Sequence, residues 1–196
     1  MGLVINGNNP PSPSFRRLMV FVDGENLVFS FEKMLKDGLI PNENTIHLEN
    51  IFVWNEKTID PRMFEVIRAT LYTYAVGSDE ILEGINEKIK QLTFKKVHSS
   101  ALPTNITPVV FKKSKKSNKT KGVDIKMTVD ILTHCFNDNL DTVMIVAGDG
   151  DYLPIIEEAK RMGKQVYLAF FSKGMNKNLI YNVDKYILLD NIFFNS

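Results

Sequence analysis

The chain is poor in cysteine and histidine, and these scarcities exclude several kinds of site. Its single cysteine, Cys135, cannot form an internal disulfide and excludes a zinc site built from several thiolates. The three histidines show no ligand spacing, so we expect ordinary surface or core roles for them. No apolar run approaches the ~20 residues of a membrane-spanning helix, and the N-terminus lacks the features of a signal peptide. We therefore expect a cytoplasmic protein without membrane contact.

An excess of one charge is also missing, because 24 basic and 23 acidic side chains leave a net charge of +1. This balance argues neither for nor against nucleic acid, but the distribution is more informative. One short polar segment concentrates Lys112, Lys113, Lys115, Lys116, Lys119 and Lys121. The segment is either a solvated loop or a contact for phosphate groups, since clustered lysines displace the counterions of a polyanion.

The 196 residues suit a single domain with a sizeable core. A hydrophobic content of 44% and a mean hydropathy of −0.11 are typical of soluble globular proteins. Residues 1–15 are rich in Asn, Pro, Ser and Gly and are predicted to be a disordered lead-in to a domain over residues 16–196. Within that domain, residues 38–63 contain Trp54 and are predicted to be an irregular insertion with one short edge strand near residues 50–53.

Continuous apolar runs alternate with helical patterns along the rest of the chain. Strands are predicted at residues 18–22, 66–76, 94–97, 108–111, 142–147, 165–171 and 186–189. Helices are predicted near residues 27–35, 79–92, 122–135, 152–162 and 177–183. This alternation predicts an α/β fold with a central, mostly parallel sheet flanked by helices.

The most informative stretch is Gly-Asp-Gly-Asp at residues 148–151, where a buried strand ends. In open parallel sheets, ligand sites lie beyond the carboxyl ends of the strands. Asp149 and Asp151 at such a place repel each other unless a cation or a proton lies between them. The pattern therefore predicts a divalent-metal site.

Two further acids occupy comparable places. Asp23 ends the first predicted strand, and Asp124 lies in the first turn of the helix that follows the lysine segment. Each has a structural explanation, since Asp23 can hydrogen-bond the turn after it and Asp124 can complement the helix dipole. Three acid-bearing element ends that can converge on one edge favour a shared site. Carboxylates without paired Cys or His favour Mg²⁺ or Mn²⁺, and Asn26 is a neutral companion that can hold water or a phosphate oxygen or cap a helix.

The motifs and their order are similar to those of a known family. Val-Phe-Val-Asp-Gly-Glu-Asn-Leu at residues 20–27, Lys-Gly-Val-Asp at 121–124 and Ala-Gly-Asp-Gly-Asp-Tyr at 147–152 resemble the NYN (LabA-like) branch of the PIN-like nucleases. The resemblance covers about residues 16–190 and implies a single-domain PIN-like (Rossmannoid) sandwich. Ala147 departs from the serine that this family usually has, without affecting a carboxylate.

The resemblance also implies a metal-dependent ribonuclease whose products carry a 5′-phosphate and a 3′-hydroxyl. It makes four residues both metal ligands for Mg²⁺ or Mn²⁺ and catalytic residues: Asp23, Asp124, Asp149 and Asp151. Because the lysine segment runs directly into Asp124, we expect it to contact RNA, and a loop of this kind suits single strands. The expected substrate-binding residues are Asn26, Lys115, Lys116, Lys119 and Lys121.

One alternative stays open: a non-catalytic PIN-like module that holds RNA or a protein partner, although the four aspartates favour the nuclease. Gly148-Asp149-Gly150 with Asn176 and Asn178 mimics a thiamine-diphosphate motif, which we assign to chance because nothing else matches those enzymes. Receiver domains usually pair two adjacent acids after the first strand, whereas Gly24 follows Asp23 here. The sequence is compatible with a homodimer.

Overall fold

The computed structural model describes residues 15–60, 62, 64–95, 104–113 and 122–195. All but the last residue of the predicted lead-in, and residues 114–121 of the lysine segment, lie outside the described residues. The described strands are β1 (Arg16–Asp23), β2 (Ile46–Leu48), β3 (Phe52–Trp54), β4 (Phe64–Ala75), β5 (Ile106–Lys112), β6 (Thr142–Val146), β7 (Gln165–Phe170) and β8 (Lys185–Leu188). The α-helices are α1 (Gly24–Lys36), α2 (Asp79–Lys90), α3 (Gly122–Phe136), α4 (Leu153–Arg161) and α5 (Asp190–Phe193).

Six strands form one sheet in the order β5-β4-β1-β6-β7-β8, and all of its neighbouring strands pair in parallel. The predicted α/β architecture with a central parallel sheet is therefore confirmed. Strands β2 and β3 form a separate antiparallel hairpin. Of the helices that the structure describes, none combines the length and apolar character required for a membrane span.

Alternate side chains of β1 point to two different hydrophobic layers, as expected of a strand buried on both faces. Val20 and Val22 pack in the layer that contains α1, the β2–β3 hairpin and α5. Met19 and Phe21 pack in the opposite layer, with α3 and α4. The sheet is thus covered on both faces, and its carboxyl edge is where polar side chains of β1 and β6 can meet.

Strand β1 lies between β4 and β6. The chain first adds β4 and β5 on one side of β1 and later adds β6, β7 and β8 on the other side. Such a reversal of strand order opens a crevice at the carboxyl ends of the strands. Gly24 allows α1 to begin directly at that edge, because a Cβ atom there would lie 2.9 Å from the carbonyl oxygen of Tyr72. Only glycine accommodates so close an approach to backbone.

Three local predictions differ from the structure. Residues 94 and 95 of the predicted strand at 94–97 lie outside any strand, and only an isolated bridge joins Thr93 to Asn105. The region 38–63 contains the two-stranded hairpin and a 3₁₀ turn at Glu56–Thr58 instead of one edge strand. The helix expected from residue 152 begins as a 3₁₀ turn at Gly150–Tyr152, and Lys177–Asn182 is also 3₁₀.

Candidate functional site

The ends of β1 and β6 fix two aspartates at the same edge of the sheet. Asp23 is the last residue of β1, and its Oδ1 accepts a hydrogen bond of 2.9 Å from the backbone N–H of Asn26 in the first turn of α1. Asp149 follows β6, and its Oδ1 accepts a hydrogen bond of 3.0 Å from the backbone N–H of Asp151. Both carboxylates therefore cap the helical turn that follows their strand.

Asn26 joins these two strand ends. Its side-chain oxygen accepts a hydrogen bond of 2.8 Å from the backbone N–H of Gly148. The carbonyl of Gly148 in turn accepts a hydrogen bond of 2.9 Å from the backbone N–H of Asn176. Because its amide oxygen is engaged by backbone, Asn26 positions the loop that carries Asp149. Its expected role in substrate binding stays a prediction.

The buried hydroxyl of Tyr152 links the third acid to this edge. It donates a hydrogen bond of 2.7 Å to Oδ2 of Asp23 and lies 3.5 Å from Oδ1 of Asp124, in the first turn of α3. A tyrosine hydroxyl has one proton, so the shorter contact is the hydrogen bond. Burial and the charge of Asp23 raise the pKa of Tyr152 well above its usual range, which keeps this hydroxyl a donor.

A cleft of about 390 Å³ opens over these acids. Five of its lining residues are acidic, and the described lining contains no lysine or arginine. The lining residues are Asp23, Glu25, Asn26, Val28, Phe29, Glu32, Asn50, Tyr74, Asp124 and Asp149. An unshielded phosphate group would be repelled from this end of the cleft.

Burial, with a further contribution from neighbouring negative charges, raises the pKa of two of the acids. Burial raises the pKa of Asp23 to about 7, and the charges of Asp124 and Glu25 add to this effect. Burial and then the charge of Asp149 raise the pKa of Asp124, and Asp151 contributes further. A bound cation would relieve the same repulsion.

The structure brings three of the four predicted acids into one cleft. Asp23, Asp124 and Asp149 line it, whereas Asp151 is exposed beside it and close enough to Asp124 to affect its pKa. The predicted substrate-binding residues Lys115, Lys116, Lys119 and Lys121 lie outside the described residues. Asp130 of α3 is not among the residues that line the cleft and forms an ion pair with Lys126.

Several residues in the cleft or behind it did not emerge from the sequence as candidates. Tyr152 followed Asp151 within a motif, but an aromatic residue there looks like ordinary core. Glu25, Phe29 and Glu32 follow one another at helical spacings of three or four residues. This helical spacing could have indicated from the sequence that these three side chains share one face of α1, the face that borders the site.

The side chains of the cleft are suitable ligands for a hard divalent cation, because the three lining aspartates supply carboxylate oxygens and no soft ligand. Within the described residues, no group of three or more Asp, Glu, His or Cys side chains is arranged as a ready-made metal cage. The hydrogen bond from Tyr152 to Asp23 holds one of the three carboxylates in its present orientation.

Asp23 provides a test of this electrostatic arrangement. Asp23→Asn is expected to stabilise the metal-free protein by roughly 2–4 kcal/mol at pH 8 and by much less near pH 4, since one pKa unit corresponds to about 1.4 kcal/mol. The folded protein holds this proton up to a pKa of about 7, against 3.8 ordinarily. Wild type therefore loses stability as pH rises from 3.8 through 7, and the Asn variant avoids that loss. Urea unfolding in EDTA at both pH values measures the difference.

A matched control has the opposite sign. Arg17 lowers the pKa of Asp141 through a side-chain hydrogen bond, so Asp141→Asn is expected to destabilise the protein at pH 8 and to have less effect as pH falls. An equal effect of Asp23→Asn on stability at both pH values would contradict the assignment of Asp23 as a buried acid with a raised pKa.

Comparison with known proteins gives three findings. A family model described as the NYN domain matches residues 17–190. An uncharacterized protein of Methanocaldococcus jannaschii is 38% identical over 66 residues, which make up 34% of this chain and 27% of that protein, so the match spans about a quarter of this relative. The crystal structure of a protein of unknown function from Vibrio parahaemolyticus has a TM-score of 0.66 at 17% identity, covering 94% of this chain and 99% of that chain, a likeness of fold.

Proposed function

The chain belongs to the NYN domain family of PIN-like, nuclease-type proteins, and from that premise we propose that it is a metal-dependent ribonuclease acting on single-stranded RNA. One observation carries the proposal. Asp23, Asp124 and Asp149 come from β1, α3 and the end of β6, and all three line a single cleft at the carboxyl edge of the sheet. Carboxylates from separate elements at such a crevice suit phosphodiester hydrolysis better than a structural role.

Mg²⁺ or Mn²⁺ would be held by Asp23, Asp124 and Asp149, with Asp151 beside them. When bound, such an ion lowers the pKa of a coordinated water and shields the charge of the phosphate. The residues of the chain prepare this site. Tyr152 orients Asp23, and Asn26 holds the loop of Asp149 against α1.

The acidic lining also defines a requirement for substrate entry. A polyanion approaches the acids only when positive charge is supplied, either by the cation or by neighbouring lysines. The expected contacts of Lys115, Lys116, Lys119 and Lys121 with RNA are part of this proposal. Lys113, at the described end of the same segment, lies with its Nζ 4.1 Å from the ring centroid of Tyr74 in the cleft. The proposal also places the protein in the cytoplasm.

The metal requirement tests the proposal directly. A labelled single-stranded RNA is incubated with EDTA-treated protein, and Mg²⁺ or Mn²⁺ is then titrated. We expect no detectable cleavage in EDTA and a saturable rise in cleavage with either ion, because the acids cannot accept a phosphate without a cation. Cleavage that persists in EDTA would contradict the metal mechanism. Binding of the RNA without cleavage at any metal concentration would favour the non-catalytic binding module instead.

A further inference from the structure

One face of α1 runs outward from the acid cluster that Asp23, Asp124 and Asp149 form in the cleft. Asn26, Phe29 and Lys33 succeed one another at spacings of three and four residues, so their side chains form a row along the helix. Phe29 lies one helical step of about 4.5 Å beyond Asn26 along the axis, given a rise of ~1.5 Å per residue. The row therefore begins where Asn26 contacts Gly148 and continues along α1, away from Asp23 at the start of the helix.

Two aromatic rings line the cleft beside the acids. Phe29 comes from α1 and is 57% exposed, and Tyr74 comes from the carboxyl end of β4. Each ring has a lysine above it. Nζ of Lys33 lies 4.2 Å from the centroid of Phe29, and Nζ of Lys113 lies 4.1 Å from the centroid of Tyr74.

We propose that Phe29 and Tyr74 form a base-stacking subsite that takes unpaired bases of single-stranded RNA, while Lys33 and Lys113 contact the flanking phosphates. This inference rests on the proposed function and names the feature that selects the form of the substrate. On binding, a base replaces the ammonium group over each ring, and the displaced lysine pairs with the backbone. An exposed cation–π contact is weaker than base stacking on an aromatic ring, so the exchange is favourable.

The chemistry of the cleft selects this ligand class. Each ring is paired with one ammonium group, and each nucleotide of a nucleic acid likewise combines one base with one phosphate. Paired bases stack on one another within a duplex and cannot offer their faces to protein side chains, whereas unpaired bases can. The subsite therefore distinguishes single strands from duplex.

The wall of the subsite is fixed before any ligand arrives. Glu32, on the same face of α1, accepts a hydrogen bond of 2.7 Å from the backbone N–H of Asn50 in the turn of the β2–β3 hairpin. Its Oε1 also lies 3.1 Å from Nε2 of His47 in β2. These contacts hold the hairpin against α1, and a preformed platform reduces the ordering that binding requires.

Binding without metal tests the subsite. Affinity is measured by fluorescence anisotropy in EDTA at low salt, with labelled oligouridine and with a ribose-phosphate chain of equal length that lacks bases. Wild type is expected to prefer oligouridine. Phe29→Ala and Tyr74→Ala are each expected to weaken oligouridine binding about tenfold and to leave the base-free probe unaffected, as base–aromatic stacking requires. Tyr74→Phe retains a ring and is expected to bind like wild type.

Phe136→Ala is the matched control. Phe136 is 81% exposed and lies on α3, about 18 Å along the helix axis from Asp124 at ~1.5 Å per residue, so its removal should leave both affinities unchanged. Lys33→Ala is expected to reduce the dependence of log affinity on log salt by ~0.7, the value for one phosphate contact to a single strand. Equal affinity of wild type for the two probes, including no measurable binding of either, would overturn the proposal.

Failure of this inference and failure of the proposed function are distinguishable. Metal-dependent cleavage that Phe29→Ala and Tyr74→Ala leave unchanged, with no preference for bases, would remove the stacking subsite alone. Base-dependent binding that both variants weaken, without cleavage in Mg²⁺ or Mn²⁺, would support the subsite and remove the nuclease.

Discussion

Asp149→Asn is expected to lower the rate of RNA cleavage by about 10³-fold, equivalent to ~4 kcal/mol of transition-state stabilisation. The substitution removes a negative charge from the centre of the acid cluster, where a divalent cation needs it. It leaves the local fold intact, because an asparagine oxygen can still accept the hydrogen bond that Asp149 receives from the N–H of Asp151. RNA binding in EDTA should be retained or slightly tightened, since less negative charge faces the phosphates.

Single-turnover cleavage in saturating Mn²⁺ separates this loss from an effect on binding. Asp138→Asn is a suitable control, because Asp138 is exposed, pairs with Lys164 and is not among the residues that line the cleft. Its cleavage rate should equal that of wild type. A loss of less than about tenfold in Asp149→Asn, with the fold unchanged by circular dichroism, would show that Asp149 does not hold the catalytic metal.

Trp54→Ala is expected to destabilise the protein by about 3–5 kcal/mol, the usual range for removal of a large buried aromatic side chain. Trp54 is the only tryptophan of the chain, is 1% exposed and is the last residue of β3. Its indole N–H donates a hydrogen bond of 2.8 Å to the carbonyl of Thr93. The substitution leaves a cavity in the hydrophobic layer that also contains α1, and it leaves the carbonyl of Thr93 without this donor.

Trp54→Phe separates the contribution of the aromatic ring to stability from that of the indole hydrogen bond. It keeps an aromatic ring but removes the N–H donor, so we expect a cost of about 1–2 kcal/mol. Urea unfolding followed by far-ultraviolet circular dichroism measures all three proteins, since the fluorescence of the wild type depends on Trp54 itself. A cost below about 1 kcal/mol for Trp54→Ala would show that the hairpin is only loosely attached to the domain.

The sequence was sufficient to predict the elements whose patterns are long and locally encoded. Strand β1 was expected at residues 18–22 and extends over Arg16–Asp23, and the helix predicted from Gly122 is α3. A strand buried on both faces needs a continuous apolar run, which propensity and periodicity reveal directly. The parallel order of the sheet followed from the alternation of strands and helices.

Shorter elements depend on contacts that local sequence does not encode. Strands β2 and β3 have three residues each and are joined through a turn in which Asn50 adopts a positive φ of 56°. The hydrogen bond from Asn50 to Glu32 fixes that turn from another element. No alternation in residues 46–54 is long enough to predict this hairpin.

For the candidate site, the sequence was sufficient to predict which acids lie at strand ends, but not the contacts that join them to other elements. Because parallel strands present their carboxyl ends at one edge, Asp23 and Asp149 could be expected to meet there. The link from Asp23 to Asp124 through Tyr152 could not be expected, because it depends on a hydroxyl that lies 129 positions from Asp23 in the chain. Phe29 and Tyr74 were also beyond prediction, since only the packed structure shows that their rings border the same cleft.

Strand β6, one of the two partners of β1 in the sheet, is synthesised long after β1 itself. Arg17 in β1 contacts Asp141, which is 124 positions later, beside the start of β6. At a synthesis rate of ~5–20 residues per second, β1 leaves the ribosome roughly 6–25 s before the strand that completes its pairing. Closing so long a loop is entropically costly and slow. A growing chain therefore exposes an apolar first strand until β6 has emerged, and Asp23 gains its hydrogen bond from Tyr152 only after residue 152 has emerged.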